Sequence, residues 1–167
     1  MTQLHAQPYD LAASGFYFET AEEYTEKAAK LRNDYGDPVE EFEIQFIDGE
    51  RIDCALAAAI GLYQSNITQF FKAVEDWDDD QKTRVILAVA ECGYDFTADT
   101  QPDDFDLEIY PVETLRELAE QFVEEGLFGD IPERLQFYID YDAIARDLGM
   151  DYAEAEVAGT RLIYHCA

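Results

Sequence analysis

Residues 106–126 read DLEIYPVETLRELAEQFVEEG, and two different periodicities meet inside them. Asp106 to Tyr110 has the composition of a short strand, and Pro111 breaks it and leads into a helix. In that helix Leu115, Leu118, Ala119, Phe122 and Val123 form an apolar stripe, and Gly126 and Gly129 close it. Glu113, Glu117, Glu120 and Glu124 step by four, three and four, which puts them on the opposite face. Their separation along the axis is ~4.5–6 Å. A strand followed by a one-faced helix predicts a small α/β unit with an acidic exterior.

Downstream, Pro132 opens a short helical turn through Phe137, and Asp140 caps a helix from Tyr141 to Leu148 that Gly149 stops. Ala155 to Tyr164, with a turn near Gly159, reads as a hairpin. Upstream, Thr97 to Asp106 is polar, contains Pro102 and reads as a linker. From Asp53 to about Phe96 the pattern is helical. Cys54 to Leu62 is almost wholly apolar and is expected to be buried on most sides. Asn66 caps the next helix, which carries Phe70, Phe71, Val74 and Trp77, and Asp78 with Gln81 forms the capping signal of a third. At the start, Phe16-Tyr17-Phe18 is β-prone, and Thr20 with Glu23 opens a helix to about Asn33. Phe42, Ile44 and Phe46 alternate with polar residues as a half-buried strand. The fold class expected is α+β: a row of an N-terminal α/β subdomain (1–62), a central helical one (63–100) and a C-terminal α/β one (101–167).

The chain is 48% hydrophobic and 14% aromatic, which excludes a disordered acidic tail. Charge is the unusual quantity. Thirty-eight acids face 11 bases, for a net charge of −27. At one charge per ~1.7 Å, the same number of phosphate charges occupies about 46 Å of duplex. A globule of this length is roughly 40 Å across. The protein therefore carries about the line charge of DNA over its own length. Self-repulsion of that size destabilises a compact fold.

No apolar run approaches membrane-spanning length, and the N-terminal residues lack the basic and apolar regions of a secretion signal, so a cytoplasmic location is expected. Cys54, Cys92 and Cys166 form no CxxC pair and read as reduced thiols. His5 and His165 have no ligand-spaced partner. EF-hand registers starting at Asp76 and Asp104 fail at the sixth and twelfth positions, where Gln81 and Leu87, or Ile109 and Leu115, stand. No phosphate-binding loop, nucleophile elbow or zinc-binding pair is present. A non-enzymatic protein is expected, with no cofactor, no metal, and no direct nucleic-acid or membrane binding.

The acids are unevenly spread. Between Asp99 and Asp142 there are fourteen against two bases, Arg116 and Arg134. Glu75, Asp76, Asp78, Asp79 and Asp80 make a second dense patch. The candidate partner-binding carboxylates are these five with Asp103, Asp104, Asp106, Glu113, Glu117, Glu120, Glu124, Glu125, Asp130 and Glu133. Helix carboxylates at this pitch are comparable with phosphates at ~3.4 Å of rise per strand. A halophile's ordinary acidic surface is the competing explanation, and it predicts loss of fold at low salt.

Two stretches resemble the ArdA antirestriction family. One is Gly126-Leu127-Phe128-Gly129-Asp130-Ile131-Pro132-Glu133-Arg134-Leu135; the other is Tyr138-Ile139-Asp140-Tyr141-Asp142-Ala143-Ile144-Ala145-Arg146-Asp147-Leu148. They are similar to the family's Pro-x-x-Leu turn and its following Tyr-Ile-Asp-Tyr and Ala-Arg-Asp-Leu helix, and Glu40-Glu41-Phe42-Glu43-Ile44 is similar to its acidic–aromatic strand. The start departs from the family's Tyr-Asn-x-Gly-x-x-x-Gly-x-Trp pattern: Leu11 or Ala12 stands where its first Gly does, and Tyr17 where its Trp does. A first strand shortened or absent is the expectation there. The resemblance implies an elongated homodimer, joined through its C-terminal region, whose carboxylates imitate B-form DNA. Its partner would be the methyltransferase core of a type I restriction–modification enzyme, and its role the protection of incoming plasmid, transposon or phage DNA. The alternative is an acidic inhibitor or immunity-type partner of another basic nucleic-acid-binding protein.

Overall fold

A computed structural model describes residues 1–167 and contains an α+β chain that divides into two compact units, Met1–Asp104 and Phe105–Ala167. The first unit opens with a strand that the sequence reading did not contain, β1 (Gln3–Pro8). It is the middle strand of an antiparallel sheet of order β2-β1-β3, with β2 at Phe16–Phe18 and β3 at Phe42–Asp48. Leu4, Ala6 and Pro8 point inward while Gln3, His5 and Gln7 alternate with them. Leu4 stands opposite Phe18 on one side and Phe46 on the other. The expectation of a shortened or missing first strand is thus corrected. Of its inward side chains only Leu4 is large, so Phe18 and Phe46 of the neighbouring strands supply much of the apolar bulk around it. Gly15, between β1 and β2, lies so close to β1 that a Cβ there would stand 2.6 Å from the Ala6 carbonyl oxygen.

Helix α1 (Ala21–Lys30) is capped by Thr20, whose hydroxyl accepts from the Glu23 N–H, and it ends three residues before the expected Asn33. Three helices complete the unit: α2 (Arg51–Ile60), α3 (Ile67–Asp76) and α4 (Asp79–Ala90). The sheet meets α3 through aromatic contacts, Phe18 with Phe71 at 6.1 Å and Phe46 with Phe70 at 6.5 Å between ring centroids. Helix α4 carries the predicted capping box, with Asp78 accepting from Gln81 and Gln81 from Asp78. Asn66 precedes α3 without bonding to its N–H groups. Its side chain instead accepts from Tyr63 and donates to the carbonyls of Ile60 and Gly61. Residues 63–100, expected as a subdomain of their own, belong to the same compact unit as the first sheet, and α2 packs along α4.

Helix α2 is not buried on most sides. Ile52, Asp53, Leu56 and Ala57 are buried, whereas Cys54 and Ala58 are exposed, because alanine-sized groups cost little in water. Its buried face holds a charge: Asp53 accepts from Lys82 of α4 at 2.7 Å and from the Thr2 hydroxyl at 3.3 Å. The expectation of three reduced thiols holds for Cys54, which is free; Cys92 and Cys166 are disulfide-bonded.

The second unit is an antiparallel sheet of order β4-β6-β5 with helices α5 and α6. Its strands are β4 (Leu107–Tyr110), β5 (Ala153–Val157) and β6 (Thr160–Cys166). Helix α5 (Leu115–Glu124) buries Leu118, Ala119 and Phe122 of the predicted stripe and half-buries Leu115 and Val123, and Leu118 and Phe122 pack with Ile163. Helix α6 (Tyr141–Leu148) is capped by Asp140 as predicted. The hairpin turns at Ala158 and Gly159, both with positive φ (51° and 85°), the geometry of the two-residue turn that matches strand twist.

A buried ion pair that loses one partner leaves an uncompensated charge. Replacing Lys82 by Met should therefore cost about 3–5 kcal/mol in urea unfolding. A variant as stable as the parent would show that the pair is dispensable.

Candidate functional site

All but three of the 38 acids are exposed. Each exception is held by a specific contact. Asp53 is the buried partner of Lys82. Glu23 pairs with Lys27 at 2.7 Å and accepts from the Glu19 N–H; these contacts, with Lys27 foremost, hold its carboxyl below the ordinary range. Asp10 accepts from the Asn33 side chain and the Ala12 N–H, which lower its pKa in the same order of importance. For both depressed groups, any stabilisation is present above the ordinary carboxyl pKa and is lost as pH falls through the lowered one. The first unit contains 23 acids and seven bases, net −16; the second contains 15 and four, net −11.

The fifteen candidate carboxylates all reach solvent. In the first unit Glu75 and Asp76 end α3, Asp78 caps α4, and Asp79 and Asp80 form its first turn. Asp103 and Asp104 lie in a 3-10 turn at residues 102–104. The fold brings Asp76 and Asp103, distant in sequence, to one cavity of about 280 Å³ that Trp77 and Phe96 also line. In the second unit Glu120, Glu124 and Asp130 line a cavity of about 590 Å³ with Val123, Ile131 and Tyr141. Asp106 precedes β4, and Glu133 begins a 3-10 helix at Glu133–Tyr138. Glu125 accepts from Gln121.

The row expected along α5 is interrupted. Thr114 is the N-cap, so Glu113 lies outside the helix, and its N–H donates to the Glu117 carboxylate. Arg116 pairs with Glu120 at 3.3 Å and with Asp142 at 2.6 Å. By contrast, Glu75, Asp76, Asp79, Asp80, Asp103, Asp106, Glu124, Asp130 and Glu133 have side chains with no protein partner. Other exposed acids of the first unit, among them Asp34, Asp37, Glu40, Glu41 and Glu43, lie outside the candidate set. Their signal was available in the outward position of Glu43 between Phe42 and Ile44.

Two placements oppose helix electrostatics. Carboxylates favour the N-terminal end of a helix, where the dipole is positive. Yet Glu75 and Asp76 close α3, and Glu124 and Glu125 close α5, with no base in either last turn. Solvated carboxylates like these keep their oxygens open to pairing with an external array of cations.

A family model described as antirestriction protein (ArdA) matches residues 4–160. The chain belongs to the ArdA antirestriction family. The match covers both units and the N-terminal segment that departs from the family pattern. No match was found among curated proteins. No helix is long and apolar enough to cross a membrane.

An acid at the wrong end of a helix should be a cost to stability that a binding role offsets. Glu124→Gln is expected to raise the stability of the protein by about 0.3–1 kcal/mol at low salt, with the gain fading as salt screens the dipole. Thermal unfolding at two ionic strengths checks this, and a loss of stability would overturn the assignment.

Proposed function

We propose that this ArdA-family protein is a non-enzymatic mimic of duplex DNA, acting in the cytoplasm on the methyltransferase core of a type I restriction–modification enzyme. Its carboxylates occupy the groove that binds DNA and so keep incoming mobile DNA from being restricted. The observation that carries this is the nearly complete exposure of 38 acids, most without a protein cation to satisfy them. Lysines and arginines that neutralise phosphates in the groove pair with these carboxylates instead, and both surfaces release counterions. Binding is therefore competitive with DNA and steeply dependent on salt.

The second unit supports a homodimer. Leu127, Phe128, Leu135, Phe137 and Tyr138 are all exposed within twelve residues of one another. A run of large apolar side chains of this kind marks an association surface. A second copy is the occupant proposed, because a charged partner surface would be desolvated there without compensation.

Titration of a type I methyltransferase core with this protein, in the presence of a duplex carrying the recognition site, tests the mechanism. The apparent DNA affinity should fall in proportion to the concentration of the protein. Binding that leaves DNA in place supports the alternative, an acidic partner of some other basic protein, and loss of fold at low salt supports the halophile explanation.

Neutralising a single exposed acid should cost about 0–1 kcal/mol of affinity. Replacing Glu75, Asp76, Asp79 and Asp80 together by their amides should weaken binding by roughly tenfold or more and flatten the dependence of log K on log salt. If the quadruple variant inhibits as well as the parent, with the same salt slope, that patch lies outside the contact.

A further inference from the structure

Charge alone does not account for a cluster of two loops in the first unit, residues 9–13 and 33–41. Asp10 holds them together, accepting from the Asn33 side chain at 2.9 Å and from the Ala12 N–H at 2.9 Å. The Asp34 N–H donates to the Ala12 carbonyl at 2.8 Å, and the Tyr9 N–H to the Glu41 carbonyl at 3.2 Å. The Asn33 side-chain oxygen accepts from the N–H groups of Tyr35 and Asp37, closing the second loop on itself. This is an ordered scaffold, yet the large side chains it carries point away from the protein. Leu11 is 100% exposed, Tyr35 82% and Tyr9 65%. A surface leucine alone is unremarkable. Three large side chains held in solvent on a hydrogen-bonded pair of loops are a different matter.

The surroundings define what fits. Asp34, Asp37, Glu40 and Glu41 are exposed beside these side chains. The one cation in residues 31–41, Arg32, turns a guanidinium nitrogen onto the carbonyls of Ala29 and Leu31. An apolar patch ringed by unpaired acids complements a basic protein surface, and it repels nucleic acid and acidic membranes alike. Tyrosine suits such a contact, since a phenol ring takes a guanidinium on its face and a methylene stem along its edge.

We propose that this loop cluster is a second docking surface for the basic enzyme of the proposed function, on which the inference rests, and that Tyr9, Leu11 and Tyr35 grip it through contacts that salt does not screen. Asp10 and Asn33 are positioning residues: they hold the loops in the bound shape before the partner arrives, so little ordering entropy is lost on binding.

Ionic and apolar contributions separate in a salt titration. Ionic contacts set the slope of log K against log salt, whereas apolar contacts shift the line without changing its slope. The experiment compares the parent with a Tyr9→Ser, Leu11→Ser, Tyr35→Ser triple variant, measuring affinity for a type I methyltransferase core from about 50 to 500 mM salt. The triple variant is expected to bind at least about tenfold more weakly at every salt concentration, with the parent's slope. Equal affinity overturns the proposal while leaving the DNA-mimic function intact, as does a loss accompanied by a flatter slope. A parent that fails to bind overturns both. Leu11→Ser alone, at a fully exposed position, repeats the test should the triple variant lose its fold; it is expected to bind about threefold more weakly at unchanged slope, and no change counts against the proposal.

Discussion

Mutual repulsion among carboxylates is the constraint to which the rest of the structure answers. A net charge of −27 on 167 residues works against any compact state, and the fold contains few cations to relieve it. The compensation lies in where acids are put and in what is buried. Four of the six helices begin with an Asp or Thr whose side-chain oxygen accepts a backbone N–H, and acids fill the first turn of each. There the helix dipole favours them. The first unit adds an aromatic core in which Phe16, Phe18, Tyr24 and Phe42 meet edge-on or tilted. Such pairs contribute beyond their buried area. The second unit has a smaller core around Leu118, Phe122 and Ile163.

Against that background, the three acids that are not fully exposed, one buried and two half-buried, are informative. Each serves the scaffold instead of the exterior. Asp53 joins α2 to α4 through Lys82, Glu23 secures the start of α1, and Asp10 clamps two loops. Several cations serve the protein's own interior or backbone likewise: Lys82 is buried, Lys27 donates to the Tyr17 carbonyl, and Arg32 to nearby carbonyls. Nine of the eleven cations are nevertheless exposed, against 35 exposed acids, so the surface is predominantly but not uniformly anionic.

What was legible in the sequence was whatever is encoded locally. The stripe of α5, the capping signals at Thr20, Asp78 and Asp140, and the terminal hairpin depend on residues three to five apart, and all are present. Strand β1 was not legible, because Ala6 and Pro8 have too little β-propensity to stand out and leave Leu4 as the one large inward side chain, and its place in the middle of the sheet is set by β2 and β3. The Asp53–Lys82 pair spans 29 residues, and nothing in the composition of α2 announces a buried charge. Of the candidate site, exposure followed from residue type and the Arg116–Glu120 pair from a local spacing of four, whereas the contact of Arg116 with Asp142 came from the packing of α5 on α6. Period alone placed four glutamates on one face; tertiary structure decided which remained free.

A surface made only of negative charge attracts any basic protein, so affinity from charge does not by itself select a partner. Selection requires elements that are fixed in shape and costly to mismatch. Glu75, Asp76, Glu124 and Glu125 sit at helix ends where they oppose the dipole, so local stability does not explain them. The loops around Asp10 are fixed by hydrogen bonds while Tyr9, Leu11 and Tyr35 stay in solvent, so core packing does not explain those three side chains either. On the proposed function, the helix-end acids supply the anionic oxygens that draw the enzyme in, and the loop side chains supply contacts that discriminate once it has arrived. Long-range attraction screened by salt and short-range contact insensitive to it are then divided between different residues, and each can change without the other.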